Sequence, residues 1–230
     1  MDINNPNDLI KNTLLGKAVL KQDVYAKTLF HFTELKSILK ELSEHFIKEV
    51  SQVDQRIRIS YLEKGEFESL VYFASDALLF VQHTNVFQFD ADNSLWKTQY
   101  MKEDHDRGYC GIINVYNFLA DSFKYNRTND VGYLIARIFI NKDGHFMVQG
   151  KRQLGFLYND FINSTLDKEK LTAVAQSILL YAIDFDLYTP PYDNVKEVTL
   201  GEMQAMSDML QVKTGKRLGF KFQADSDDIF

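Results

Sequence analysis

The chain has 230 residues, 45% of them hydrophobic and 25% charged, enough to bury a substantial core and compatible with one α+β domain over residues 1–230. Its net charge of -6 argues against a general nucleic-acid or anionic-membrane binder, because such partners are held by surplus Lys and Arg. A single cysteine excludes an internal disulfide, residues 1–6 lack the basic patch and apolar run of a secretion signal, and no apolar run approaches the ~20 residues that cross a bilayer, so a cytoplasmic protein is expected.

Residues 1–54 carry a helical pattern. Ile10, Leu14, Ala18, Tyr25 and Leu29 recur at roughly helical spacing, and a second stripe runs Leu35, Ile38, Leu39, Leu42, Phe46, Val50 and Val53, which predicts a helical pair broken near residues 31–33. Mixed charges on the opposite face of the second stripe suit water and make it an amphipathic helix lying on another layer.

That layer is predicted over residues 55–160. The period drops to two at Ile57, Ile59 and Tyr61; Lys64-Gly65 marks a turn and residues 67–73 return, completing a hairpin. Residues 77–81 and 86–89 have strand-like composition, with Asp76 and the 90–94 cluster as turn signals, and 95–101 adds a further candidate strand. The clearest hairpin joins 133–140 to 145–149 through Asn141-Lys142-Asp143-Gly144, since an Asp-Gly pair supplies the positive φ a tight turn needs. Sequential hairpins imply an antiparallel sheet of about six to seven strands.

Residues 161–230 turn helical again. Leu171, Val174, Ala175, Ile178, Leu179, Ala182 and Ile183 form a wide apolar stripe, with Asp167 and Glu169 at its positive end and Pro190-Pro191 beyond its stop. Thr199-Leu200-Gly201-Glu202 reads as a capping box opening a helix with Met203, Met206 and Leu210 on one side; Gly215 ends it, residues 217–222 form an edge strand, and the 225–228 run is an acidic tail.

Four features carry possible chemistry. Gly108-Tyr109-Cys110-Gly111 precedes a segment in which Ile112, Val115, Tyr116, Leu119 and Phe123 share a helical face; a helix start would lower the thiol pKa, and His145 in a later strand would act as its base. The order of Cys110 and then Gly144-His145-Phe146 resembles papain-like thiol hydrolases, which implies a hydrolase or acyltransferase with Cys110 as nucleophile, His145 as base, and Asn159 or Asp160 available to orient the histidine. The same stretch is equally a strand by its Ile, Val, Tyr and Phe content, and as a strand it gives Cys110 no such activation. The cluster Lys102-Glu103-Asp104-His105-Asp106-Arg107 has the donor types for a divalent cation, yet it contains its own counter-charges and reads as a solvated connection, so no metal is assigned.

The third feature is a pair of near-copies, Gly150-Lys151-Arg152-Gln153-Leu154-Gly155-Phe156 and Gly215-Lys216-Arg217-Leu218-Gly219-Phe220. Placed side by side, Lys151, Arg152, Lys216 and Arg217 would hold a phosphate or carboxylate; taken separately, they are basic edge segments that discourage strand pairing. The fourth is the aromatic content, 18 Phe and 12 Tyr, which serves a core, an interface or a ligand pocket in a curved sheet. There is no phosphate-binding loop, dinucleotide fingerprint, His-Glu-x-x-His or paired Cys-x-x-Cys, and no cofactor is implied. The pattern therefore points to a binding protein, engaging first a protein partner through Tyr, Phe and Trp96 with an acidic rim, in the manner of an inhibitor or immunity protein, and second a small ligand. The thiol hydrolase is the alternative.

Overall fold

The computed structural model describes residues 5–185 together with 189, 191–194, 196–201, 203 and 204. The architecture is α+β, an antiparallel seven-stranded sheet with a long N-terminal helix and a second helix packed on one face. No helix among the described residues is long and apolar enough to cross a membrane.

A short helix α1 (Pro6–Thr13) continues through a π-helical turn at Leu14–Ala18 into α2 (Val19–Val50). The break expected near residues 31–33 is absent. That stretch contains neither Gly nor Pro, and His31 and Phe32 fall on the same buried stripe as Leu20, Val24, Thr28, Leu35, Ile38 and Leu39. The irregularity lies instead around Gly16, where no residue is buried and packing does not enforce the regular helix.

The strands are β1 (Ile59–Glu63), β2 (Glu68–Phe73), β3 (Asp76–Gln82), β4 (Phe87–Gln88), β5 (Tyr109–Leu119), β6 (Tyr133–Asn141) and β7 (Phe146–Gly150). Their order is β1-β2-β3-β5-β6-β7, with β4 also paired to β5. Gly65 and Gly144 take positive φ at the β1–β2 and β6–β7 turns, as the sequence requires. Asp76 opens β3 rather than sitting in the turn before it, and its buried carboxylate accepts a hydrogen bond from Asn117 Nδ2 at 2.9 Å.

Residues 109–119, readable either way in sequence, are strand. Their register to β3 and β6 buries alternate side chains against helices on one side and an aromatic layer on the other. Gly111 is where α2 passes closest: a Cβ there would stand 2.0 Å from Thr28 Oγ1. Helix α4 (Ala120–Lys124) follows directly.

The candidate strand at 95–101 is helical. Asn93 Oδ1 accepts the Leu95 N–H at 3.0 Å and opens a 3-10 turn, and the side chain of Thr98 caps α3 (Gln99–Glu103), so local side-chain caps override strand composition. Helix α5 (Gln153–Leu157) follows β7, and α6 (Lys168–Ile183) is capped by Asp167, whose carboxylate accepts the Lys170 N–H at 2.8 Å.

Val71, Phe73, Leu78, Phe80, Ile113, Val115, Ile138, Ile140, Phe146 and Val148 face α2 and α6 and make the main core. At about 25 cal/mol per Å² of apolar surface removed from water, this layer is the principal stabilising contribution. The opposite face is covered only at its ends: by residues 89–101 and Phe161 over Cys110, Ile112 and Phe139, and by α4 over Leu70, Tyr72 and Phe118. Between the two covers the sheet is left open. The capping-box glutamate Glu202, Met206, Leu210, Gly215, the 217–222 strand and the acidic tail lie outside the described residues.

Candidate functional site

The open part of the sheet is one cross-strand polar row, bordered by an apolar row that is itself largely covered. Ile112, Phe139 and Met147 are paired across β5, β6 and β7, and two residues further along the strands Asn114, Arg137 and Gln149 are paired in the same way. Because side chains two apart point to one face, both rows look into the same space. An apolar row thus lies beside an amide, guanidinium and amide row.

Walls rise on three sides of these rows. Strand β3 leaves β5 after Gln82; the chain bows outward through Thr84 and Asn85 and rejoins the same edge of β5 at Phe87, opposite Cys110. His83 and Phe87 sit at that departure, their rings in edge contact at 4.6 Å. His83 Nδ1 accepts the Asn85 N–H at 3.0 Å, which places the neutral ring's proton on Nε2. Phe89 packs on Phe139 and Phe161 at 5.7 and 5.4 Å, and Asp90 and Asn93 follow in the turn.

The opposite wall comes from the chain after β7. Gly155 lies against Gly150, where a Cβ would stand 2.4 Å from the Gly150 carbonyl oxygen, so the glycine lets the chain fold back along the strand. The Val148 N–H then donates to the Tyr158 carbonyl at 2.7 Å, and Gly155 and Asn159 face the space. The cleft between these walls is open to solvent and measures about 620 Å³, within the usual ~300–1,000 Å³ of small-molecule sites.

Its polar row is incompletely satisfied. Arg137 Nε and Asn114 Oδ1 are buried behind the cleft surface with no hydrogen-bond partner, while the half-exposed Arg137 side chain makes no ion pair among the described residues and places Cζ 5.9 Å from the Phe139 ring centroid. A buried donor or acceptor left unpaired costs about 1–3 kcal/mol. Two further cavities lack this chemistry. One, of about 480 Å³, lies by Lys21, Tyr25 and Asn85; the other, of about 420 Å³, is an apolar groove between the end of α2, β1 and α6.

The sequence candidates are placed elsewhere. Cys110 is on β5, 1% exposed, packed with Met101, Ile112, Phe139 and Phe161. The strand withdraws the helix-start stabilisation considered for a thiolate, and burial pushes the thiol pKa far above its ordinary value. His145 bonds the Phe161 carbonyl through Nδ1 at 3.0 Å and stacks on Tyr100 at 4.7 Å; no hydrogen bond joins it to Cys110 among the described residues. Asn159 lines the cavity, whereas Asp160 bonds Asn163.

The charge cluster at 102–107 pins the β6–β7 turn. Asp104 pairs with Lys142, whose ammonium holds its carboxyl below the usual carboxylate range. Arg107 pairs with Asp143 at 3.1 Å and lies 4.2 Å from the centroid of the Tyr100 ring. Burial, offset in part by the Asn141 hydrogen bond, pushes the Tyr100 phenol up to about 12. No group of three His, Cys, Asp or Glu among the described residues is arranged to hold a metal.

Lys151 and Arg152 are exposed just past β7, and Arg152 holds a positive φ of 51° at the start of α5. Lys216 and Arg217 lie outside the described residues. Trp96 is half-buried and engaged internally, its Nε1 donating to the Asp90 carbonyl at 2.8 Å and its ring stacked on His105.

Asn114, Arg137 and Gln149 were not singled out from the sequence. The available signal was Arg137 itself, a lone charge flanked by Ala136 and Ile138 within a strand otherwise apolar from 134 to 140. Comparison with known proteins finds no protein-family model that matches the chain, and no curated protein or solved structure that is significantly similar to it.

Proposed function

We propose that this is a binding protein whose ligand is a small molecule seated on the open face of the sheet, above the rows Ile112-Phe139-Met147 and Asn114-Arg137-Gln149. The single observation that carries the reading is Arg137, which makes no ion pair among the described residues and lines, beside an apolar row, a cleft of small-molecule size. Aromatic side chains from Phe87, Phe89 and Phe139 supply the apolar contact that lets a small molecule bury most of its surface. Between the two kinds of partner considered from sequence, this geometry favours the small ligand, because Trp96 is engaged internally.

The test is a fragment screen by saturation-transfer NMR on wild-type protein and on Arg137→Met. The reading expects a cluster of hits on the wild type, enriched in fragments with a hydrogen-bonding group beside an aromatic ring, most of them lost on the variant. An equal hit list on both proteins, or none on either, would reject the cavity as the binding site.

A further inference from the structure

We infer that the start of the chain is a self-association arm: residues 6–19 of two copies of this chain pair antiparallel through the row Ile10-Leu14-Val19. Helix α1 and the π-helical turn after it bury no residue, and the chain first packs on the body of the protein at Leu20 and Val24, against Tyr109 and Val86. At 1.5 Å per residue the uncovered stretch is roughly 20 Å long. A helix this short is marginal in water unless an apolar face packs on something.

The apolar face is present and uncovered. Ile10 and Leu14 are four residues apart in α1, and Leu14 and Val19 are five apart across the π turn, whose wider ring keeps all three in one row. Leu9 and Leu15 widen the row, and the five side chains are between 47% and 63% exposed. A contiguous apolar patch of this kind on a charged chain marks an interaction surface.

Charge selects the occupant. The arm carries Asp8 in its first turn and Lys17 at its base. Parallel pairing would set each charge level with its own copy. Antiparallel pairing brings the acidic end of one arm beside the basic end of the other and opposes the two helix dipoles. An anionic lipid surface fits less well, because residues 6–19 hold only Lys11 and Lys17 against Asp8, far from the Lys- and Arg-rich polar face of an interfacial helix. Size sets the strength. A Leu-sized side chain carries roughly 60–120 Å² of apolar surface, so the five from each copy, a little over half exposed, remove roughly 350–700 Å² from water. With the polar flank that accompanies apolar area in interfaces, that is the small end of specific contacts and gives a weak, concentration-dependent dimer. The twofold uses one patch twice and closes the assembly at two copies.

The experiment is sedimentation equilibrium of the full chain over about 5–500 µM, where a monomer–dimer equilibrium with a dissociation constant of roughly 10–300 µM is expected. Leu14→Glu, in the middle of the row, should weaken it at least about 100-fold, leaving a monomer, whereas Leu14→Met should stay within about 3-fold of wild type. Leu14 is exposed, so neither variant touches the core, and both should keep the wild-type urea midpoint. Val53→Ser, at an exposed apolar residue just past the far end of α2, should leave association unchanged. Asp8→Lys should weaken the dimer about 2- to 5-fold, and Asp8→Lys with Lys17→Asp should restore it. A monomer at every concentration, or a dimer that Leu14→Glu leaves intact, would overturn the arm as a self-association surface. Leu14-dependent flotation of such a monomer with phosphatidylcholine and phosphatidylglycerol vesicles would assign the stripe to a lipid surface instead. A dimer indifferent to Asp8→Lys would overturn its antiparallel order.

Discussion

Replacing Arg137 by Met should make the protein more stable, contrary to the usual sign for a substitution in a packed sheet. The methionine keeps an unbranched apolar stem against Phe139 but removes the buried Nε–H that has no partner. An unsatisfied buried donor costs about 1–3 kcal/mol. Against that gain stands the guanidinium contact with the Phe139 face, which at 5.9 Å is near its useful limit and is worth about 0.5 kcal/mol. The net expectation is a stabilisation of about 1–2 kcal/mol, or several degrees in melting temperature for a chain of this size. Urea unfolding measures it directly: the midpoint should rise with an unchanged slope. Arg137→Gln, which keeps a polar group at the same place, should lie near wild type. A loss of 1 kcal/mol or more in Arg137→Met would refute the reasoning, since it would mean that the guanidinium already has structural partners and is not reserved for a ligand.

Three other perturbations follow from the packing. Gly111→Ala should destabilise by about 1–3 kcal/mol, the range for overpacking, because its Cβ would meet Thr28 Oγ1; urea unfolding of the double variant with Thr28→Ala should show part of that loss recovered, whereas strict additivity would place the clash elsewhere. Cys110 should resist iodoacetamide from pH 6 to 8.5 except through unfolding, with the same slow rate in His145→Ala, because burial raises its pKa and His145 is bonded to the Phe161 carbonyl; rapid alkylation at pH 6 that disappears in His145→Ala would instead support an activated thiol. His31 is held below its ordinary pKa of 6.5, chiefly by burial and against the attraction of Glu34. Its neutral form is favoured in the fold, so the stabilisation is fully present above about pH 7 and is lost as pH falls below 6.5. Unfolding free energies between pH 7.5 and 5.5 should fall less steeply in His31→Gln, and identical slopes would remove His31 from the acid sensitivity.

The parts of the fold legible in the sequence were those fixed by local chemistry. Period-two alternation with Gly65 and Asp143-Gly144 specified two hairpins, and Asp167 ahead of a wide apolar stripe specified α6. Residues 109–119 were ambiguous because Ile112, Val115, Tyr116 and Leu119 satisfy both periods. What decides for strand is tertiary: one face is buried throughout and the other over 109–113, and Gly111 lets α2 approach at Thr28. Segment 95–101 went the other way, its caps at Asn93 and Thr98 outweighing composition. The binding rows escaped sequence reading because they exist only through register. Asn114, Arg137 and Gln149 come from three strands, and each alone reads as an unremarked polar residue in a hairpin. Cys110 and His145 attracted notice by residue type, yet burial and hydrogen bonding occupy them separately.

The most direct measurement is the ¹⁵N-resolved Nε–H spectrum of the arginines during titration with the tightest-binding hit of the fragment screen, with the Arg137 signal assigned by its absence in Arg137→Met. The cavity reading predicts that the Arg137 signal shifts and saturates as the cleft fills. The signals of Arg56 and Arg107, already paired with Asp54 and Asp143, should stay in place. An Arg137 signal that does not move under saturating probe, or one that moves no more than the others, would contradict it.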